Sequence, residues 1–117
     1  MNLWIKIGGI LGFLGVALGA FGAHGLKSSI TPEMLEVYKT GVFYHLIHSI
    51  VILGIGFYGK EQFNKAAIFL LSGIILFSFS LYLLAITSLQ FFGIITPFGG
   101  ICLLIGWGLI VYEGFRK

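Results

Sequence analysis

The sequence predicts an all-α integral membrane protein: a four-helix bundle forming a single domain over residues 1–117, with a short interfacial helix between spans 1 and 2. Three observations carry this. The chain is 58% hydrophobic and only 9% charged, with a mean hydropathy of +1.06, too apolar for an ordinary soluble domain. Four stretches are long and apolar enough to cross a hydrocarbon core, which takes about 20 residues. No apolar stretch alternates with period two, which argues against a β-barrel.

Span 1 is expected over about residues 7–23. It is glycine-rich: Gly8, Gly12, Gly15, Gly19 and Gly22 recur at spacings of four, three, four and three. At 3.6 residues per turn they fall within about 80° of arc, a smooth stripe along which another helix can approach closely. Lipid gives no hydrophobic push between helices, so such close packing drives their association. The seven-residue repeat favours a left-handed crossing. The run resembles a signal peptide in its small-residue end, but its glycine content and the three later spans make it a retained span.

The segment "LKSSITPEMLEVYKT", residues 26–40, is the longest polar stretch. Thr31 suits a helix N-cap, Pro32 the first helical position and Glu33 the positive end of the helix dipole. Met34, Leu35 and Tyr38 share a face, which predicts a short interfacial helix. Span 2 follows over about 41–58. "GKEQFNK", residues 59–65, reads as a tight polar turn in which Glu61 and Lys65 are spaced to pair. Span 3 covers about 66–89. "QFFGIITP", residues 90–97, reads as an uncharged turn, with Thr96-Pro97 starting span 4 over about 98–112. Near the end, Glu113 is placed to pair with Arg116 and Lys117.

Lys6, Lys60, Lys65, Arg116 and Lys117 fall on one side of this arrangement, Lys27 and Lys39 on the other. The excess puts both termini in the cytoplasm of a multi-pass protein of the cell membrane. Trp4, Tyr58, Trp107 and Tyr112 lie near span ends, as interfacial aromatics do. Basic flanks facing anionic lipid account for the net charge of +3, and no Lys/Arg-rich run supports nucleic-acid binding. The expected partners are membrane lipid and a second copy of the chain.

The chemistry-bearing residues are few. The three histidines are His24, His45 and His48, all expected in the outer half of the membrane. His45 and His48, three apart, share a face with Tyr44 beside them. Ser80 and Tyr82 of span 3 fall at similar depth. Polar groups in lipid are costly without partners, so these should turn toward one another, with His24 and His48 meeting across the contact of spans 1 and 2. His24 lies opposite the glycine stripe, so that packing leaves the stripe for span 3, span 4 or another subunit.

Three readings of the cluster compete: a packing layer, a site for a small ligand, lipid or proton, and ligation of haem or metal. A lone His-x-x-His with no acidic neighbour is weak metal evidence, and the single cysteine, Cys102, excludes multi-cysteine motifs. No cofactor is expected. The spans offer no Asp for a Ser-His-Asp arrangement and no phosphate-binding loop, so no catalytic residue is assigned and the chain reads as a non-enzyme.

"LGAFGAH" (18–24), "TGVFYHLIH" (40–48), "LFSFSLYLLAIT" (76–87) and "TPFGGICLLIGWGLIV" (96–111) together resemble the YwdK/YgdD family, small four-span membrane proteins of bacteria with distant relatives in animals. The resemblance covers nearly the whole chain. It implies four transmembrane helices and a retained first span, and it supplies no reaction. The family pattern falls on Gly19, Gly22, His24, Gly41, Tyr44, His48, Ser80, Tyr82, Pro97, Gly99, Gly100 and Trp107, with His45 less constant. The reading is then a membrane protein that binds a small ligand or lipid, or moves a small solute or proton. The alternative is a structural or partner-binding subunit, and a haem or metal protein comes third.

Overall fold

A computed structural model describes residues 3–116; Lys117 and its expected pairing with Glu113 lie outside the described residues. Four helices are long and apolar enough to cross a membrane: α1 (Leu3–Leu26), α2 (Pro32–Tyr58), α3 (Glu61–Thr87) and α4 (Gln90–Phe115). They run up and down, so both ends of the described chain and the α2–α3 turn share one end of the molecule. There Trp4 donates to Asn64 Oδ1 at 3.0 Å, Gln62 donates to the Glu113 carbonyl at 3.1 Å, and Arg116 pairs with Glu113 at 2.7 Å. Among the described residues the ion pairs are this one and Lys39–Glu36, so Glu61 and Lys65 do not pair as their spacing predicted.

The helices begin and end where local chemistry dictates, but not always where the sequence pattern pointed. Thr31 caps α2, its side chain accepting from the Met34 N–H at 3.1 Å, with Pro32 in the first turn. The expected interfacial helix is present as helix but not as a separate element: residues 32–40 run straight into the span. Tyr38 explains this, because its side chain is buried and donates to the Leu18 carbonyl at 2.7 Å, holding the segment against α1 instead of in the membrane plane. Gly59, at φ 76°, closes α2 in the left-handed conformation that glycine adopts without cost. Ser88, at φ 59°, closes α3. The α3–α4 turn is therefore at residues 88–89, and Thr96-Pro97 does not start α4 but lies inside it. Pro97 removes one backbone donor, a loss that a membrane helix tolerates when neighbours and hydroxyl side chains fill in. Thr96 Oγ1 bonds the Phe92 carbonyl at 3.3 Å.

Helices α2 and α3 are central and α1 and α4 flank them. The apolar core draws on all four: Leu11, Ile52, Ile55, Ala66, Ala67, Leu70, Ile74 and Leu103. The glycine stripe packs, but its partner is α2, which corrects the expectation that α2 would lie beside it. A Cβ on Gly8 would sit 2.8 Å from the Leu53 nitrogen, on Gly15 2.5 Å from Leu46 Cδ2, and on Gly19 2.9 Å from Val42 Cγ1. Gly22 admits the Tyr38 hydroxyl. Gly12, about 40° round from Gly8, stands at the edge of the seam and would meet nothing within 4 Å. A second seam joins α3 to α4, where Gly73 faces Leu103, Gly106 faces Leu70 and Gly99 faces the backbone at Leu76 and Phe77.

Two π-helical turns interrupt the spans, Leu18–Gly22 in α1 and Ile74–Ser78 in α3. Each lies where a neighbour comes against the backbone. The Leu18 carbonyl accepts both the Ala23 N–H and the Tyr38 hydroxyl. The α3 turn is gripped between Gly41 of α2, whose Cβ would stand 3.1 Å from the Ser78 carbonyl, and Gly99 of α4.

Candidate functional site: a polar layer beside a bilayer-facing groove

His45 stands at the midpoint of α2, because α2 starts at Pro32 and not near residue 41. Its side chain is 0% exposed. Nε2 lies 2.8 Å from the Leu11 carbonyl and Nδ1 2.8 Å from the Tyr82 hydroxyl. A carbonyl only accepts, so Nε2 carries the proton, Nδ1 accepts, and Tyr82 donates. One imidazole thus ties α2 to α1 and to α3, with both nitrogens satisfied. Ser49 donates back to the His45 carbonyl at 2.6 Å, and the Tyr38 and Tyr82 rings pack with centroids 5.1 Å apart.

His48 takes the opposite tautomer. Its Nδ1–H donates to the Tyr44 carbonyl at 2.7 Å, and its Nε2 accepts from the Trp107 indole N–H at 3.0 Å. It is 4% exposed. His45 and His48 therefore share a face only loosely. Three residues turn the helix by about 60° net, enough to send one imidazole to α1 and α3 and the other to α4.

The remaining candidates separate. Ser80 meets Thr96 across α3 and α4 at 2.6 Å and donates to the Phe77 carbonyl. His24 is exposed and makes no side-chain hydrogen bond among the described residues. Its expected meeting with His48 does not form. The α1–α2 seam pairs Gly22 with Tyr38 and Gly15 with Leu46, which sets the two histidines roughly 16 Å apart along the helices at 1.5 Å per residue. Ser78 Oγ is buried and without a partner among the described residues.

Trp107, expected as an interfacial anchor, instead forms one wall of a groove of about 440 Å³ that opens sideways toward the bilayer. Tyr44 and His48 of α2, Phe77 of α3, and Pro97, Gly100, Ile101, Leu103 and Leu104 of α4 complete it. Tyr44 is 38% and Trp107 41% exposed. Tyr44 stacks on His48 with an interplanar angle of 8° and packs on Phe77 with centroids 4.6 Å apart. Gly100 leaves the floor open: a Cβ there would find Phe77 Cδ1, at 3.9 Å, as its nearest neighbour. The role of Trp107 was hidden because nothing in its sequence neighbourhood links it to a histidine 59 positions away.

For metal chemistry the geometry is unfavourable. All four ring nitrogens of His45 and His48 are engaged, so an iron or zinc would have to break a helix-to-helix or backbone bond to bind. Among the described residues no group of three or more His, Cys, Asp or Glu side chains is placed to hold an ion.

Four apolar helices, two glycine seams and polar side chains that bond one another between the helices define a multi-pass integral membrane protein. Residues 18–100 match the family described as "Protein of unknown function (DUF423)", and the chain belongs to that family. It is 40% identical to the UPF0382 membrane protein YwdK of Bacillus subtilis, over 99% of this chain and 98% of that one. It is 38% identical to the UPF0382 inner membrane protein YgdD of Escherichia coli K12, over 92% and 85%. It is 36% identical to the UPF0382 membrane protein SAB0533 of Staphylococcus aureus, over 99% and 98%. No solved structure matches the chain.

Proposed function

We propose that this protein is a non-enzymatic binder of a membrane-dissolved, mainly apolar molecule, held in the lateral groove of α2, α3 and α4. The observation that carries the reading is the groove itself: a nearly buried His48, hydrogen-bonded to Trp107, stands at a hollow of about 440 Å³ that opens toward lipid. Ligand pockets are commonly apolar hollows with a few placed polar groups. Protein purified in mild detergent is expected to carry one neutral apolar molecule near one per chain, identified by mass spectrometry of an organic extract. Recovery of bulk phospholipids alone, in their membrane proportions, would contradict the reading. A purely structural role is favoured for one part of the layer, His45, whose bonds are all internal.

The same proposal places both termini on the cytoplasmic side of the cell membrane, from the excess of basic residues at the terminal end. With Cys102 replaced by alanine, cysteines at Ser28 and Gln62 test this with an impermeant thiol reagent on intact cells. Position 28 is expected to label and position 62 to stay protected; the reverse pattern inverts the topology.

A further inference from the structure

We infer that the ligand of this groove is a neutral, ring-headed lipid of the quinone class, its ring against Tyr44 and Trp107 and its tail along Ile101 and Leu104. The inference rests on the groove reading above and gives it a substrate class. Charge comes first. The sequence holds no charged residue between Lys39 and the end of α2, none in α3 after Lys65 and none in α4 before Glu113. A phosphate or ammonium head would lie there uncompensated, at high cost in a low-dielectric site.

Depth points the same way. His48 is three residues from the midpoint of α2, about 5 Å along the axis, against a hydrocarbon core about 30 Å thick. A phospholipid keeps its head at the interface and reaches this level only with its tails. A molecule with a polar ring that dissolves wholly in the bilayer can bring that ring here.

The lining selects a flat ring. Tyr44, Phe77 and Trp107 present aromatic faces or edges at the groove, with His48 almost buried against Tyr44 and Trp107, which suits offset stacking or edge contact. Hydrogen bonding narrows the head further. The Trp107 N–H is taken by His48 and the His48 Nδ1–H by the Tyr44 carbonyl. The Tyr44 hydroxyl makes no hydrogen bond among the described residues, and the residue is 38% exposed. It can donate to one neutral acceptor, as a quinone carbonyl is. The inference concerns binding alone and includes no redox step.

The test uses Trp107 as the reporter. The chain has two tryptophans, so Trp4→Phe leaves Trp107 as the single fluorophore. The protein in nanodiscs is titrated with a decyl-substituted benzoquinone, a contact quencher. Saturable quenching is expected, with a midpoint about fivefold higher in Tyr44→Phe, the worth of one hydrogen bond, and with no saturable phase in Gly100→Leu. Decanol, which has a tail and no ring, is expected not to compete. Quenching that rises linearly, equally in parent and Gly100→Leu, would mean that the quinone only dissolves in the bilayer and would overturn the inference. Recovery of the Trp107 fluorescence by decanol at concentrations comparable to the quinone's would also overturn it, while leaving the broader groove reading in place.

Discussion

Replacing His45 by alanine is expected to lower the melting temperature in detergent by about 5–10 °C, the equivalent of about 2–3 kcal/mol. Two helix-to-helix hydrogen bonds disappear, each worth about 0.6 kcal/mol in a membrane protein. The larger part comes from what remains. Tyr82, 7% exposed, loses the acceptor for its hydroxyl, and the vacated volume lies between three helices with His45 itself at 0% exposure. Tyr82→Phe removes one bond and no volume, so its effect is smaller. The double variant is expected to melt close to His45→Ala, because once the imidazole is gone the hydroxyl has nothing to lose. Additive shifts for the two changes would show that His45 and Tyr82 do not bond.

The second large effect is expected at Gly99, and its neighbour supplies the control. A Cβ on Gly99 would run into the Phe77 nitrogen and lie 2.6 Å from the Leu76 carbonyl carbon, backbone atoms of the α3 π turn that cannot swing aside. Gly99→Ala should force α4 away from α3 and cost about 2–3 kcal/mol, in the upper range for overpacking. A Cβ on Gly100 meets only Phe77 Cδ1 at 3.9 Å. Gly100→Ala should therefore melt at or slightly above the parent, since glycine inside a helix costs about 1 kcal/mol relative to alanine. Thermal denaturation followed by circular dichroism decides between these. Equal melting temperatures for Gly99→Ala and Gly100→Ala would mean that the α3–α4 seam is not packed backbone to backbone.

Much of the architecture was legible because bilayer thickness and backbone satisfaction leave few choices. Four apolar runs became four helices, and the Thr31-Pro32 start signal operates as read. Periodicity identified the face of α1 that packs, since it follows from the helix turn alone. It could not name the partner, because the identity of the neighbouring helix is a property of the whole bundle. The expected His24–His48 contact pointed the stripe away from α2, and His48 instead bonds Tyr44 and Trp107. The second seam rests in α4 on only two glycines, Gly99 and Gly106, seven apart, with the non-packing Gly100 and Gly108 beside them, so no stripe stands out from the sequence. Thr96-Pro97 misled because its start-signal chemistry assumes a water-exposed helix end, whereas in lipid proline is accommodated inside a span. The π turns left no trace in the sequence, since they arise where Tyr38, Gly41 and Gly99 press on a neighbouring backbone. At the site, the residue types were legible and their pairing was not. His45 goes with Leu11 and Tyr82, His48 with Trp107, Ser80 with Thr96, and His24 with none of them.

The central claim is that one side of the polar layer locks the helices while the other lines a groove that holds a ligand. Gly100→Leu separates the two, because it fills the groove floor without touching the His45 bonds or the Gly99 contact. The decisive measurement is the amount of bound apolar molecule per chain in folded Gly100→Leu and in the folded parent, purified side by side, with the melting temperature of each measured alongside. The account predicts a load near one in the parent, near zero in the variant, and melting temperatures within a few degrees of each other. An unchanged load in a folded Gly100→Leu, or a load lost only as the protein unfolds, would contradict it.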